Sequence, residues 1–159
     1  MAVDTEAFRE TLKRFASGVT VVTVGADQQL HGMTASSFAS VSMDPPLVLV
    51  SLSRSSRTHS LVTAKGSFAV NILSAGQEGL ARAFAQQGVK PFDALQHHPG
   101  EVDGHPLLDG AIGWLECRVS RIIEGGDHDI LLGEVLACDS RDGTPLLYYD
   151  RTYRALKDQ

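Results

Sequence analysis

HGMTASSFASVSMDPPLVLVSLS, residues 31–53, decides the fold class of this 159-residue chain. Its pattern predicts one strand from about Leu30 to Met43 and a second strand over 46–53, both rich in β-branched or small residues. The break falls at Asp44-Pro45-Pro46, because neither proline can donate a hydrogen bond to a sheet ladder. The short connection between the two strands favours antiparallel pairing.

The first of these strands contains no side chain larger than threonine from Thr34 to Ser37. A small, hydroxylated strand face would let a flat ring system lie close to the backbone, and a β-bulge would bring both faces into use. A strand side that faces solvent explains the same residues. With a side-chain period of two, the predicted faces are Thr34, Ser36, Ser40 and Ser42 on one side, and Met33, Ala35, Ala39, Val41 and Met43 on the other.

The rest of the chain predicts further strands with a few short helices between them. Strands joined by hairpin turns favour an antiparallel Greek-key sheet or a small barrel over alternating βαβ units. We therefore expect a mainly β fold with short helices, in a single domain over residues 1–159. The other predicted strands are 18–25, 67–73, 111–123, 129–140 and 145–149. Helices are predicted at 5–16 and 58–65, and a third helix follows a Ser74–Gln77 capping box and ends at Gly88. A turn is predicted at 26–29 and a long loop at 88–109.

Composition excludes several functional classes. The net charge is −5 and no run of Lys or Arg is present, which argues against nucleic acid and anionic membranes as partners. The first fifteen residues carry acids at helical spacing instead of a signal peptide, and no apolar run is long enough for a membrane span, so we expect a cytoplasmic protein. The chain also lacks the glycine patterns of dinucleotide-binding and P-loop sites and the serine elbow of hydrolases.

The segment Ser53-Arg-Ser-Ser-Arg-Thr-His59 is a candidate anion site. It places four hydroxyl residues and two arginines directly before a predicted helix. Free amides at a helix start, hydroxyl groups and guanidinium groups suit a phosphate monoester. An ordinary capped loop is the alternative, because serine and threonine are also the preferred N-cap residues.

Histidines, cysteines and the single tryptophan give further candidates. His128 follows a glycine turn at the predicted hairpin mouth, where it could contact a ligand or simply be exposed. His97, His98 and His105 lie in the long loop without a second ligand set, so we expect solvated histidines and no metal site. The predicted outer face of one strand carries Trp114, Glu116 and Arg118, and a tryptophan there suggests an oligomer interface. Both cysteines, Cys117 and Cys138, are predicted to be buried and reduced, and a disulfide between them is the alternative.

Taken together, these segments resemble the flavin reductase-like domain family, the small NAD(P)H:flavin oxidoreductase components of two-component flavin-dependent monooxygenases. The matching stretches follow the same order over nearly the whole chain, which is more specific than any single motif. They are FASGVTVVTV (15–24), HGMTASSFASVSMDPPLVLVSLSRSSRTH (31–59), FAVNIL (68–73), LARAFA (80–85), GHPLLDGAIGWLECRV (104–119) and GDHDILLGEV (126–135).

The resemblance implies a split β-barrel of the FMN-binding type, a homodimer, and FMN or FAD bound near the subunit interface with NADH or NADPH as the electron donor. It implies that His128 is the catalytic residue beside the nicotinamide, where it orients the ring, with Tyr148 and Tyr149 near the same nucleotide. The implied flavin contacts are Thr34, Ala35, Ser36 and Ser37 at the isoalloxazine, Ser51, Ser53, Ser55, Arg57 and Thr58 toward the phosphate, and Phe92 from the long loop.

Two positions depart from the family pattern. Asp150-Arg151-Thr152 stand between the last two tyrosines, where the family usually has a glycine, and Lys90-Pro91 precede Phe92, where Lys-Asp or Lys-Arg is common. The implied activity is hydride transfer to flavin and delivery of reduced flavin to a monooxygenase partner. Two other functions remain open at this point: a split-barrel oxidase with its own small substrate, and a non-enzymatic flavin-binding module.

Overall fold

A computed structural model describes residues 2–25 and 29–157 of the chain. The predicted turn at 26–29 falls mostly outside these residues. The α-helices are α1 (Thr5–Leu12), α2 (Arg57–Lys65) and α3 (Glu78–Ala85), and short 3-10 turns cover Ala75–Gln77 and Phe92–Ala94. The strands are β1 (Ser17–Gly18), β2 (Thr20–Val24), β3 (His31–Ala35), β4 (Phe38–Met43), β5 (Pro46–Ser53), β6 (Ser67–Ile72), β7 (His97–Pro99), β8 (Pro106–Leu108), β9 (Gly113–Gly125), β10 (His128–Ser140), β11 (Leu146–Tyr149) and β12 (Thr152–Ala155).

Seven strands form one antiparallel sheet in the order β3-β2-β6-β9-β10-β5-β4. Its two edge strands follow each other in the chain, linked by Ser36 and Ser37 alone. The edges of a flat sheet of seven strands would lie about 29 Å apart, whereas three residue steps from Ala35 to Phe38 span at most about 11 Å. The sheet therefore curls until its two edges approach each other.

This curl corrects the prediction of one continuous strand from Leu30 to Met43. The chain leaves β3 at Ala35 and re-enters the sheet at Phe38 on the opposite edge. The predicted hydroxylated face is wrong as well, because Thr34 and the pair Ser40 and Ser42 lie on different edge strands. The register of β4 against β5 shifts between Ser40 and Ser42, so the bulge that the sequence analysis considered is present.

Two apolar cores fix this arrangement. The first lies inside the curl, where residues of six strands and Val62 of α2 pack together. The second lies outside β2, where α3 covers the sheet. A Cβ atom at Gly32 would lie 2.8 Å from the Phe84 ring, so the glycine lets α3 approach β3 closely. The first core is centred on Val22, Val50, Leu52, Phe68 and Leu131, and the second on Val21, Leu73, Phe84, Leu108 and Leu146.

The helices confirm the predicted positions with shifted ends. Helix α1 ends at Leu12, four residues before the expected end, and α3 ends at Ala85 instead of Gly88. Helix α2 ends at Lys65 as predicted, and the next residue, Gly66, caps it with a φ of 76°, the left-handed conformation that glycine tolerates. The predicted capping box is partly visible as a hydrogen bond of 3.0 Å from the Ser74 amide to Gln77 Oε1.

The long hairpin and the long loop also differ from expectation in detail. The hairpin strands are β9 and β10, and β12 was not predicted. The loop over 88–109 contains its own hairpin of β7 and β8. No helix within the described residues is long and apolar enough to cross a bilayer.

Three side-chain predictions are wrong about burial. Glu116 is buried, and its carboxylate accepts hydrogen bonds from the amides of Glu101 and Val102 at 3.0 and 3.1 Å. His105 is buried as well, and its Nε2 lies 2.8 Å from Ser67 Oγ. Cys117 is buried as expected but Cys138 is exposed, and both thiols are free. Burial raises the pKa of the Cys117 thiol to about 12.

Candidate functional site

The ends of β5 and β10 meet the Ser36–Ser37 corner and form a polar ledge. The Ser37 hydroxyl donates a hydrogen bond of 2.7 Å to the Ser51 carbonyl, and the Ser51 amide donates one of 3.1 Å to the Ser37 carbonyl. Ser53 at the end of β5 pairs with His128 at the start of β10. Because directly paired residues project to the same side of a sheet, Ser53 and His128 are neighbours on one face. We call the set of Ser37, Ser51, Ser53 and His128 the serine ledge.

Thr34 and Ala35 do not join the serine ledge through their side chains. The Thr34 hydroxyl donates a hydrogen bond of 2.6 Å to the Ala81 carbonyl of α3, and the Ala35 methyl group is buried in the inner core. Both residues belong to an edge strand, which pairs on one side only. Any contact with a ligand would therefore use their backbone groups.

A cavity of about 510 Å³ opens where β5 leads into α2. Ser56 caps the helix by accepting a hydrogen bond of 3.1 Å from the His59 amide. The hydroxyl groups of Ser53 and Ser55 lie 2.9 Å apart at the cavity mouth. The structure thus brings the hydroxyl groups of the predicted anion site together at a helix start. The lining also includes Arg57, Thr58, Met33 and Phe84.

A second cavity of about 540 Å³ lies beside the first and shares His31, Arg57, Gly88 and Lys90 with it. Phe92 lines this second cavity and packs edge-to-face against Phe84, with ring centroids 5.3 Å apart. The predicted ligand contact Phe92 is buried and lines only the second cavity, whereas Ser53 lines only the first. We call the four residues common to both linings the shared wall, and the two adjacent cavities together the groove.

The shared wall is strongly cationic. Lys90 Nζ donates hydrogen bonds to the Phe84 and Gln86 carbonyls, and burial lowers the pKa of Lys90. No carboxylate forms an ion pair with Arg57 or Lys90 within residues 2–25 and 29–157. Burial first, and then the charges of Lys90 and Arg57, lower the pKa of His31 to about 4. The wall would gain free energy from a bound anion.

His31 and Lys90 line the candidate site although the sequence did not predict them there. His31 opens a strand, and Lys90 lies 59 positions later in a loop, so no local pattern connects them. The one local feature that pointed to Lys90 was its position directly before Pro91 and Phe92, the predicted ligand contact. Each residue lines both cavities because the curl of the sheet brings β3 against α2 and the loop after α3.

His128 lies at the hairpin mouth, as predicted. Its Nδ1 atom lies 2.7 Å from Asp127 Oδ1, and this hydrogen bond lowers the pKa of Asp127. The imidazole is about half exposed. It can therefore contact a ligand that lies across the serine ledge.

Tyr148 and Tyr149 are not in the groove; they line a separate cavity of about 240 Å³ together with Ser36 and Phe15. The β11–β12 turn beside them holds Asp150 and Arg151 at φ of 51° and 60°, a conformation that favours glycine. This is the position where the family pattern usually has its glycine. An amide hydrogen bond of 3.0 Å from Asp150 to the Lys13 carbonyl holds the turn against the end of α1.

No cluster of three or more histidine, cysteine, aspartate or glutamate side chains suited to a metal ion is found in the described part of the chain. The predicted loop histidines have other contacts. His98 Nδ1 lies 3.1 Å from Asp109 Oδ1, and His97 packs edge-to-face on Phe92.

A model of the family described as "Flavin reductase like domain" matches residues 12–157. The chain belongs to this family. The match covers all of the serine ledge and both cavities, and it confirms the resemblance found in the sequence.

Curated relatives of this flavin reductase-like domain are similar over most of their length. The NADH-dependent FAD reductase of Streptomyces globisporus is 47% identical over 137 residues, which cover 84% of this chain and 75% of that protein. The reductase component of 4-hydroxyphenylacetate 3-monooxygenase from Thermus thermophilus is 38% identical over 95% of this chain and 96% of that protein. The first relative is named as a flavin reductase, and the second as the reductase component of a monooxygenase.

Solved structures agree with the fold. The NADH:FAD oxidoreductase of Streptomyces globisporus superposes with a TM-score of 0.93 at 41% identity, over 99% of this chain and 98% of that chain. The flavin reductase component of a bacterial two-component tryptophan halogenase superposes with a TM-score of 0.91 at 39% identity, over 98% of this chain and all of that chain. The antiparallel architecture of this flavin reductase-like domain is therefore shared with flavin reductases.

Proposed function

We propose that this chain is an NAD(P)H-dependent flavin reductase that supplies reduced FMN or FAD to a partner monooxygenase. The observation that carries the proposal is the groove where hydroxyl groups at the start of α2 meet the cations of Arg57 and Lys90, directly beside the serine ledge with His128. Relatives over most of the chain are named NADH-dependent FAD or FMN reductases, so NADH is the expected donor.

The residues present fit a flavin nucleotide. Ser53, Ser55, Arg57 and Thr58 would bind its phosphate with hydroxyl groups, a guanidinium group and the helix start. Ser36, Ser37 and Ser51, with the backbone of Thr34 and Ala35, would border its ring system. The second cavity, with Phe92 at its far end, leaves room beyond the cations for the adenosine half of FAD. A flavin held there would supply N5 as the acceptor of a hydride from the nicotinamide.

The protein would contribute mainly by positioning. Holding the two rings face to face at reactive distance converts an encounter in solution into a reaction within one complex. His128 would orient the nicotinamide from the hairpin mouth, while Asp127 holds its imidazole through Nδ1. Tyr148 and Tyr149 would contact the rest of the nucleotide through their separate cavity beside α1.

An anaerobic assay tests the proposal against its two rivals. The protein is mixed with FMN or FAD and NADH, and absorbance is followed at the flavin band. Rapid bleaching is expected for a reductase. Flavin binding without bleaching would indicate a binding module, and bleaching only with another reductant would indicate an oxidase with its own substrate.

Replacing His128 with alanine is expected to raise the KM for NADH or lower turnover about tenfold, because one orienting contact to the nicotinamide is lost. Flavin affinity should stay within twofold, since the phosphate contacts lie on β5 and α2. Steady-state kinetics with varied NADH and a flavin titration measure both. Unchanged kinetics would exclude this role of His128.

We further infer that the curled sheet is a split β-barrel with Greek-key connectivity, and that the protein forms a homodimer through its exposed apolar strands. Met43 is 90% exposed, and Val41, Ile122 and Ile123 are also exposed on β4 and β9. Both strands belong to the seven-stranded sheet, with β10 and β5 between them, and exposed apolar side chains on a sheet are typical of an interface. Sedimentation equilibrium should give twice the chain mass, and a monomer at micromolar concentration would contradict the dimer.

A further inference from the structure

An ionic cluster around the buried Asp129 joins the hairpin mouth to the start of α2, on the side away from the serine ledge. Asp129 is only 8% exposed, and both of its carboxylate oxygens are used. Its Oδ1 accepts a hydrogen bond of 2.8 Å from Arg54 Nε, and its Oδ2 lies 2.7 Å from His59 Nε2. We call Arg54, His59 and Asp129 the carboxylate tie. The two hydrogen bonds lower the pKa of Asp129, so it is a carboxylate at neutral pH.

The carboxylate tie connects three separate elements. Arg54 follows β5, and its amide donates a hydrogen bond of 3.1 Å to the Asp127 carbonyl. Its Nη2 also lies 3.1 Å from Glu124 at the end of β9, so the arginine spans both strands of the hairpin. His59 lies in the first turn of α2. The tie therefore fixes the hairpin relative to the helix.

Each member of the carboxylate tie is next in sequence to proposed ligand-binding residues. Asp129 follows His128 on β10, and adjacent strand residues point to opposite faces of the sheet. The carboxylate tie therefore contacts β10 on the face opposite the His128 imidazole. Arg54 lies between Ser53 and Ser55, and His59 follows Thr58. The nicotinamide side and the phosphate side of the proposed site are thus held together by a single carboxylate.

We propose that Asp129 is a positioning residue that sets the distance between the phosphate-binding start of α2 and the hairpin that carries His128; this inference rests on the proposed function. A flavin held by its phosphate is placed relative to α2, whereas the nicotinamide is placed relative to the hairpin. The position of the flavin ring therefore depends on the position of α2 only when the flavin carries a phosphate. Riboflavin, which lacks the phosphate, does not use this connection.

The test compares FMN with riboflavin in the Asp129→Asn variant, which keeps the side-chain shape and removes the charge. The kcat/KM for FMN at fixed NADH is expected to fall about tenfold or more, because a small displacement of bound rings is costly. The value for riboflavin should stay within twofold. A role in general stability would lower both values equally, and that result would overturn the proposal, as would no change in either.

Two further variants make the result decisive. Glu124→Gln is the matched control, because Glu124 bonds the same arginine but is 74% exposed, and its kinetics should not change. A fall as large as that of Asp129→Asn would overturn the specific role of Asp129. If Asp129→Asn does not fold, the His59→Gln variant replaces it, because this change removes only the contact between Asp129 and α2. The kcat/KM for FMN is expected to fall in this variant while that for riboflavin stays within twofold. A kcat/KM for FMN equal to that of wild type would overturn the proposal. If wild-type protein reduces neither flavin with NADH, the proposed function itself is wrong.

Discussion

Replacing Arg57 with alanine is expected to weaken FMN binding about 10- to 100-fold, while riboflavin binding stays within twofold. Arg57 is exposed at the start of α2 and lines both cavities of the groove. Hydrogen bonds to a charged group contribute about 1.5–3 kcal/mol, which corresponds to this range of affinity. Riboflavin has the ring system and ribityl chain without the phosphate, so it does not depend on the guanidinium group.

Fluorescence titration of the protein with each flavin measures the effect. Arg118→Ala is a matched control, because Arg118 is an exposed arginine on β9 that lines neither cavity of the groove. Equal losses for FMN and riboflavin would mean that Arg57 supports the fold of the groove rather than the phosphate. No loss for FMN would place the phosphate elsewhere.

Replacing His31 with asparagine is expected to remove a large part of the acid sensitivity of the fold. Burial, with the charges of Lys90 and Arg57, lowers the pKa of His31 to about 4 in the native protein, against 6.5 for an ordinary histidine. The native state therefore binds fewer protons than the unfolded state between these two values. Its free energy of unfolding falls as the pH drops from about 6.5 to about 4.

The size of this effect follows from the shift in pKa. Protonation of His31 in the unfolded chain costs the native state about 2 kcal/mol at pH 5 and at most about 3 kcal/mol at pH 4. Urea denaturation at pH 7.5, 6 and 5 gives the free energy of unfolding for wild type and variant. The difference between the two proteins should change by about 2 kcal/mol over this range.

His98→Asn provides the control for this titration. It replaces an exposed histidine on β7 that lines neither cavity containing His31, so it controls for the loss of a histidine as such. Parallel pH profiles for wild type and His31→Asn would show that His31 takes up its proton in the native state as readily as in the unfolded chain.

The sequence alone predicted most elements and several residues of the candidate site. Apolar patterns indicated β6, β9 and β10, and hydroxyl groups before a helix indicated a candidate anion site at 53–59, whose hydroxyl groups the structure brings together. The small residues of 34–37 were predicted to border a flat ring system, which stays a prediction, and the structure adds a feature that the sequence did not show. Ser36 and Ser37 form the corner where the chain crosses between the edges of the sheet, and Ser37 holds that corner to Ser51.

Local pattern by itself determined most of the strand segments and the alternation of side chains within each strand, because these properties depend on neighbours a few residues apart. It did not determine the break at Ser36 and Ser37 or the short strands β7, β8 and β12. Only the tertiary structure decided that β3 and β4 lie at opposite edges, that His31, Arg57 and Lys90 share one wall, and that Asp129 joins two elements. Each of these contacts requires the sheet to curl, and the curl depends on packing between residues far apart in the chain. Burial of Glu116 and His105 has the same cause, since their partners come from the loop hairpin and from β6.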